Sequence, residues 1–281
     1  MSPFAPPLAG LRFSLVGPGR VGASLAAWAV ARGARAVTVA GRSAARASEV
    51  AEALQATNVP LAELATEHED LLLIAVADDA YAAVAGVLAE RPQAGVVLHA
   101  SGSLPMGALD PLAARGSGVG VLHPLKAFPR PLPDPAEARG VFFALGSDPA
   151  AVNLGRRLVE AWEGHAAVLA EEQRLLYHFA ATLVAGGTGT LLASADALAR
   201  RLGLPREVWN GYVELAGGAL EQVGAADEPA RAITGPAARG DWDLVRRQLA
   251  AAGELDPGLA RLARALAEQT ASLRGSRADL E

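Results

Sequence analysis

Cysteine is absent from the 281 residues. That excludes disulfides, thiolate metal sites, cysteine nucleophiles and CxxC redox chemistry, and it fits a cytoplasmic location. Lysine is nearly absent: of 25 basic residues only Lys126 is not arginine. An amine can shed its proton when desolvated and a guanidinium cannot, so Lys126 is a candidate functional residue. The alternative is one lysine surviving by chance. Basic runs are also missing, and the net charge is −5, so no nucleic-acid partner is expected. The longest strongly apolar run, Leu71 to Ala77, is too short to span a bilayer. The N-terminal stretch MSPFAPPLAGLRF has neither a basic nor an apolar signal region, so no signal peptide is expected. No HExxH, close histidine pair or carboxylate at ligand spacing predicts a metal site.

What is present is a folded core: 51% hydrophobic and 20% charged residues in a length that suits two domains. Apolar runs at Leu11–Val16, Val37–Ala40, Leu71–Ala77, Val96–His99, Val119–Leu122 and Val141–Leu145 alternate with helical patterns. Strands alternating with helices predict βαβ units and a mostly parallel sheet. The texture changes after Gly146. Residues 148–163 read as a helix and His165 to Leu169 as a short strand. From Glu171 onward the pattern is helical: one long helix over 171–202, about 48 Å at 1.5 Å per residue, then helices near 205–224, 241–252 and 256–273. The predicted fold is α/β. A Rossmann-like domain, with a mostly parallel sheet, covers 1–170. An all-α domain with one long helix covers 171–281.

The first strand runs into Gly17-Pro18-Gly19-Arg20-Val21-Gly22, a GxGxxG that follows a strand and opens a helix. Gly17 permits the tight turn, Gly19 lets the backbone approach a pyrophosphate, and Gly22 lets the helix pack on the strand. The second strand chooses the cofactor. An NAD site carries a carboxylate there for the ribose hydroxyl. Here the strand ends on Gly41-Arg42-Ser43, with Arg46 one turn on, and arginine suits a 2′-phosphate. NADP is therefore the predicted cofactor. Loops after later strands should line the same crevice: Ala77 beside the cofactor, Ser101 as a substrate contact, and His123 to Lys126. Asp78-Asp79 reads as the cap of the following helix.

Hydride transfer also needs a proton donor or acceptor, and histidine suits neutral pH. Of five histidines, His68 lies in an acidic run that reads as a solvated face, and His165 reads as a loop residue. His99, His123 and His178 remain, each weighed against a packed core histidine. His123, Lys126 and His178 are predicted to meet at one inter-domain crevice. One histidine would donate the proton, the other would position it, and Lys126 would hold an anionic substrate. Tyr177 is a candidate substrate contact. Arg239, in a turn where Pro236 opens a helix and Asp241 caps the next, is a candidate clamp for a carboxylate or phosphate. Ala180, Ala181, Ala185, Gly186, Gly187 and Gly189 give the long helix a small-residue face.

Five segments carry a resemblance: LVGPGRVG (15–22), HASGSLP (99–105), VLHPLKAF (121–128), LLYHFAATLVAGG (175–187) and ITGPAARGD (233–241). The N-terminal half resembles the 6-phosphogluconate-dehydrogenase-like superfamily, with its β-hydroxyacid dehydrogenases, pyrroline-5-carboxylate reductases and deazaflavin-dependent NADP reductases. More closely, the five segments, which span most of the chain, are similar to those of bacterial proteins joining a Rossmann-like domain to the domain of unknown function 2520. The resemblance implies a nucleotide-binding fold and a homodimer through the C-terminal helices. It does not carry hydroxyacid chemistry. Ala185-Gly186 stands near the family's Ser-Asn pair, and His178 stands without the asparagine that contacts hydroxyacid substrates. The expectation is an NADP(H)-dependent oxidoreductase acting on a small carbonyl, imine or hydroxy substrate. The alternative is a non-catalytic NADP(H)-binding sensor or scaffold.

Overall fold

A computed structural model of the chain describes residues 5–91 and 93–280. Two compact units make it up, Met1–Leu183 and Val184–Glu281. The first is built on an eight-stranded sheet in the order β3-β2-β1-β4-β5-β6-β7-β8. Its strands are β1 (Arg12–Val16), β2 (Arg35–Ala40), β3 (Thr57–Asn58), β4 (Leu71–Ile74), β5 (Val96–His99), β6 (Gly118–Pro124), β7 (Phe142–Ser147) and β8 (His165–Val168). Every neighbouring pair is parallel except β6 with β7. Between strands run α1 (Arg20–Ala31), α2 (Ala44–Ala53), α3 (Tyr81–Ala89), α4 (Asp110–Ala113) and α5 (Pro149–Ala161).

The strand sequences explain the burial. β4 is LLLI and β5 is VVLH, with every residue buried, as expected of parallel strands covered on both faces. Successive side chains alternate faces. Leu71, Leu73, Val96 and Leu98 join one core with Phe13, Leu15, Trp28, Phe143 and Trp162. Leu72, Ile74 and Val97 join another with Tyr81, Leu88 and Leu112. Trp28 anchors the first core, its ring centroid 5.5 Å from Phe128 and 5.9 Å from Trp162.

β1 sits between β2 and β4. The chain lays strands outward on one side of β1, then returns to lay the others on the opposite side. Ligands of open α/β sheets bind at such a switch, beyond the carboxyl ends of the strands. β3 is two exposed residues long, too short to leave a period in the sequence, and was not anticipated.

The long helix α6 (Glu171–Arg201) belongs to both units. The second unit continues with α7 (Val208–Gly224), α8 (Pro229–Ala232), α9 (Pro236–Arg239), α10 (Trp242–Leu255) and α11 (Pro257–Leu273), with no strand after residue 171 among the described residues. Its small core joins Val245, Leu249, Ala267 and Leu280. Asp256 ends α10 and caps α11, accepting the amides of Gly258 and Leu259 at 2.9 and 3.1 Å.

Candidate functional site

The turn after β1 is shaped by close approaches. Gly17 has φ +91°, and a Cβ there would lie 2.5 Å from the Ala75 carbonyl oxygen. A Cβ on Gly22 would strike the Gly17 carbonyl and lie 2.9 Å from the Ala75 Cβ. Gly19 differs, because nothing lies within 4 Å of its missing Cβ. It is the N-cap of α1 and offers no side-chain cap. The first helical bond runs from the Ala23 amide to the Gly19 carbonyl at 2.9 Å. The amides of Arg20, Val21 and Gly22 therefore have no helical acceptor, at the positive end of the helix dipole and beside open space. That donor set fits the diphosphate of a dinucleotide.

The end of β2 rests on this turn, for a Cβ on Gly41 would lie 2.5 Å from Pro18 Cδ. Arg42, Ser43 and Arg46 follow at once. Ser43 caps α2, its hydroxyl accepting from the Arg46 amide at 3.4 Å. Arg20, Arg42 and Arg46 are exposed, and none of the three is ion-paired among the described residues. Ala77 is exposed just before a 3-10 turn, Asp78–Ala80.

Protonatable groups gather at the ends of β5 and β6. His123 is the penultimate residue of β6, and Tyr177 and His178 lie in the first half of α6. The His123 and His178 ring centroids are 5.7 Å apart. The Tyr177 hydroxyl is 3.3 Å from His123 Nδ1. Gly102 fills the space between the histidines: a Cβ there would lie 2.5 Å from His178 Cδ2 and 2.8 Å from His123 Nε2. Beside it Ser101 is buried, its hydroxyl accepting the Ser103 and Leu104 amides, each at 3.3 Å.

The electrostatics follow from burial. His123 is pushed down to about 4, chiefly by desolvation, with the charges of His178 and Arg174 adding and Asp78 opposing. His99, at the end of β5, is pushed down to about 3, again mainly by burial. Neither of its ring nitrogens has a hydrogen-bond partner among the described residues, and the ring packs edge-on to Tyr81 at 5.6 Å. Burial raises the Tyr177 hydroxyl to about 12.

Other predicted residues sit elsewhere. Lys126 Nζ lies 3.6 Å from Glu137, which also takes Arg130 at 2.6 Å, so its charge is met on the β6–β7 connection. Arg239 is exposed at the end of α9, in the second unit. The turn around it behaves as read: Pro236 opens α9, and the Asp241 carboxylate accepts the Leu244 amide at 3.2 Å. The capping role expected of Asp78-Asp79 is overturned. α3 has no side-chain cap, and Asp78 instead accepts the Ser103 hydroxyl. Sequence reasoning missed Arg174, which is buried although it lies in an EEQR run that reads as a solvated helix start. It also missed Glu69, buried within the acidic run around His68.

Two family models match the chain, and the second begins inside the sheet unit. Residues 12–100 match the family described as NADP oxidoreductase coenzyme F420-dependent. Residues 141–270 match the domain of unknown function DUF2520. A Bacteroides fragilis protein carrying the name NADP oxidoreductase is similar in structure, with TM-score 0.77, 23% identity, and coverage of 96% of this chain and 99% of that one. A reductive aminase from Aspergillus terreus, in complex with NADPH and ethyl levulinate, has TM-score 0.61, 17% identity and 96% coverage of each chain. Glutamyl-tRNA reductase of Frankia casuarinae is 54% identical over 68 residues, which are 24% of this chain and only 14% of that protein. The structural likenesses establish the fold.

Proposed function

We propose that this chain, a Rossmann-like unit of the NADP oxidoreductase kind carrying a DUF2520 domain, is an NADP(H)-dependent oxidoreductase acting on a small carbonyl, imine or hydroxy substrate. One observation carries the reading. His123, Tyr177, His178 and Gly102 converge at the carboxyl ends of β5 and β6, the edge on which the glycine turn also opens. Bound NADPH supplies the hydride. Reducing C=N or C=O also needs a proton, and these side chains handle it. Burial keeps His123 neutral down to about pH 4, which suits it to the positioning role, and His178 is the proposed proton donor. Tyr177 keeps its own proton to about pH 12 and donates it in a hydrogen bond to Nδ1 when His123 is protonated on Nε2, fixing that ring. Ser101 orders the turn. Lys126 is the proposed contact for an anionic substrate, by exchanging Glu137 for it, and Arg239 is a proposed carboxylate or phosphate clamp on the second unit.

Arg42, Ser43 and Arg46 favour NADP over NAD in this reading, with Ala77 at the same crevice. The helical domain from residue 171 on would form a homodimer in the cytoplasm. Leu175, Leu176, Phe179, Leu183 and Val184 on α6 are each 60–70% exposed, an apolar face a second copy would cover. α6 is also long and apolar enough to cross a membrane. Against that, its first turn is fixed to the sheet unit through buried Arg174, which donates to the Ser101 carbonyl.

The test is a metabolite screen following NADPH absorbance, with NADH as control. Once a substrate is found, His178→Ala should lower turnover by about 10²–10⁴ while NADPH binding is retained. Tight NADPH binding with no turnover across carbonyl, imine and hydroxy substrates would replace this reading with the non-catalytic sensor.

A further inference from the structure

Arg174 and Glu69 are, histidine aside, the only acidic or basic side chains buried among the described residues, and Arg174 is 4% exposed. Arg174 lies three and four residues before Tyr177 and His178 on α6, so all three share one helix face. Its Nη2 donates to the Ser101 carbonyl at 3.4 Å, across 73 residues of sequence. Its Nη1 has no hydrogen-bond partner among the described residues. Glu171, one turn back, is the carboxylate whose charge it feels. A buried guanidinium is costly unless its surroundings use it.

We infer that Arg174 is the positioning residue of this site, pinning the Ser101–Gly102 turn against the two imidazoles and setting positive charge beside His123. This rests on the proton-handling reading of the site given above. The geometry supports it directly, because Gly102 follows the pinned carbonyl and lies so near both rings that an added Cβ would strike them. Electrostatics agree. The groups facing His123 are Arg174, Tyr177 and His178 from α6, Asp78 from the 3-10 turn, and His99 from β5. Only Asp78 favours the imidazolium, and Arg174 disfavours it at His123 and His99 alike. Burial does most to keep His123 a neutral acceptor for the Tyr177 hydroxyl, and the fixed cation adds to it after His178.

The experiment is a histidine-ring NMR titration of the full chain, wild type against Arg174→Met and Arg174→Lys, with NADPH titrations on the same samples. Arg174→Met should raise the His123 midpoint by roughly half a unit to one unit. Arg174→Lys, which keeps the charge but not the fork, should leave that midpoint near wild type while shifting the Gly102 amide resonance. An unmoved His123 midpoint in a folded Arg174→Met protein overturns the inference. If that variant does not fold, an unmoved Gly102 amide in Arg174→Lys overturns it instead. Intact NADPH binding beside an unmoved His123 sinks this inference and leaves the oxidoreductase reading standing. Absence of NADPH binding by the wild-type protein sinks that reading, whatever the titration shows.

Discussion

Arg20, Arg42 and Arg46 are exposed and without a described counter-charge, and they follow the glycine turn and the end of β2 in sequence, so the proposed preference for a 2′-phosphate can be tested on them. Charge-assisted hydrogen bonds contribute about 1.5–3 kcal/mol each. Arg42→Ala should therefore weaken NADPH binding about 10–100-fold and leave NADH little changed. Tighter NADH than NADPH binding by the wild-type protein in calorimetry would contradict the cofactor assignment. At the other end, Gly102 is the residue with no room. Its added methyl would meet His178 Cδ2 at 2.5 Å, so Gly102→Ala must push the two imidazoles apart. Turnover should then fall toward the His178→Ala level while NADPH affinity stays within about twofold of wild type, the misplaced-group penalty that near-attack geometry implies. Wild-type turnover in Gly102→Ala would show that the rings need not touch the turn.

His99 ends β5 and His123 is the penultimate residue of β6, and these two strands tie acid stability to the site. Both histidines bind a proton less readily folded than unfolded, where the midpoint is about 6.5. The unfolded chain thus takes up protons first as pH falls, and the folded state loses ground. The loss should begin near pH 6.5, run at about 1.4 kcal/mol per unit for each histidine, and end near pH 4 for His123 and pH 3 for His99. Urea melts across pH 7 to 4 should show it, and His99→Phe should flatten the slope. An unchanged slope in that variant would refute the assignment to His99. The elements themselves were largely legible in sequence. GxGxxG, the all-apolar strands and the Pro and Asp helix starts are local patterns. What escaped was set by tertiary partners. Arg174 looks solvated until the β5 loop folds over it, Asp78 looks like a cap until Ser103 reaches it, and Lys126 looks free until Glu137 arrives.

For the whole molecule, the exposed apolar face of α6 predicts a dimer in detergent-free buffer. Sedimentation should give twice the chain mass, and Phe179→Glu with Leu183→Glu should shift the protein to monomer. A wild-type monomer at micromolar concentration, or recovery only in the membrane fraction, would refute it. The legible part at this scale was the change from α/β to all-α near residue 171.

The compact units meet at residues 183 and 184, inside α6, with no loop between them. Each residue turns a helix by about 100° and advances it 1.5 Å. One residue gained or lost between His178 and Val184 would therefore rotate every later position of α6 onto another face. Seven residues, close to two turns, would nearly restore the phase. The length of this segment thus sets, in steps of about 100° per residue, the helical phase of every later position of α6.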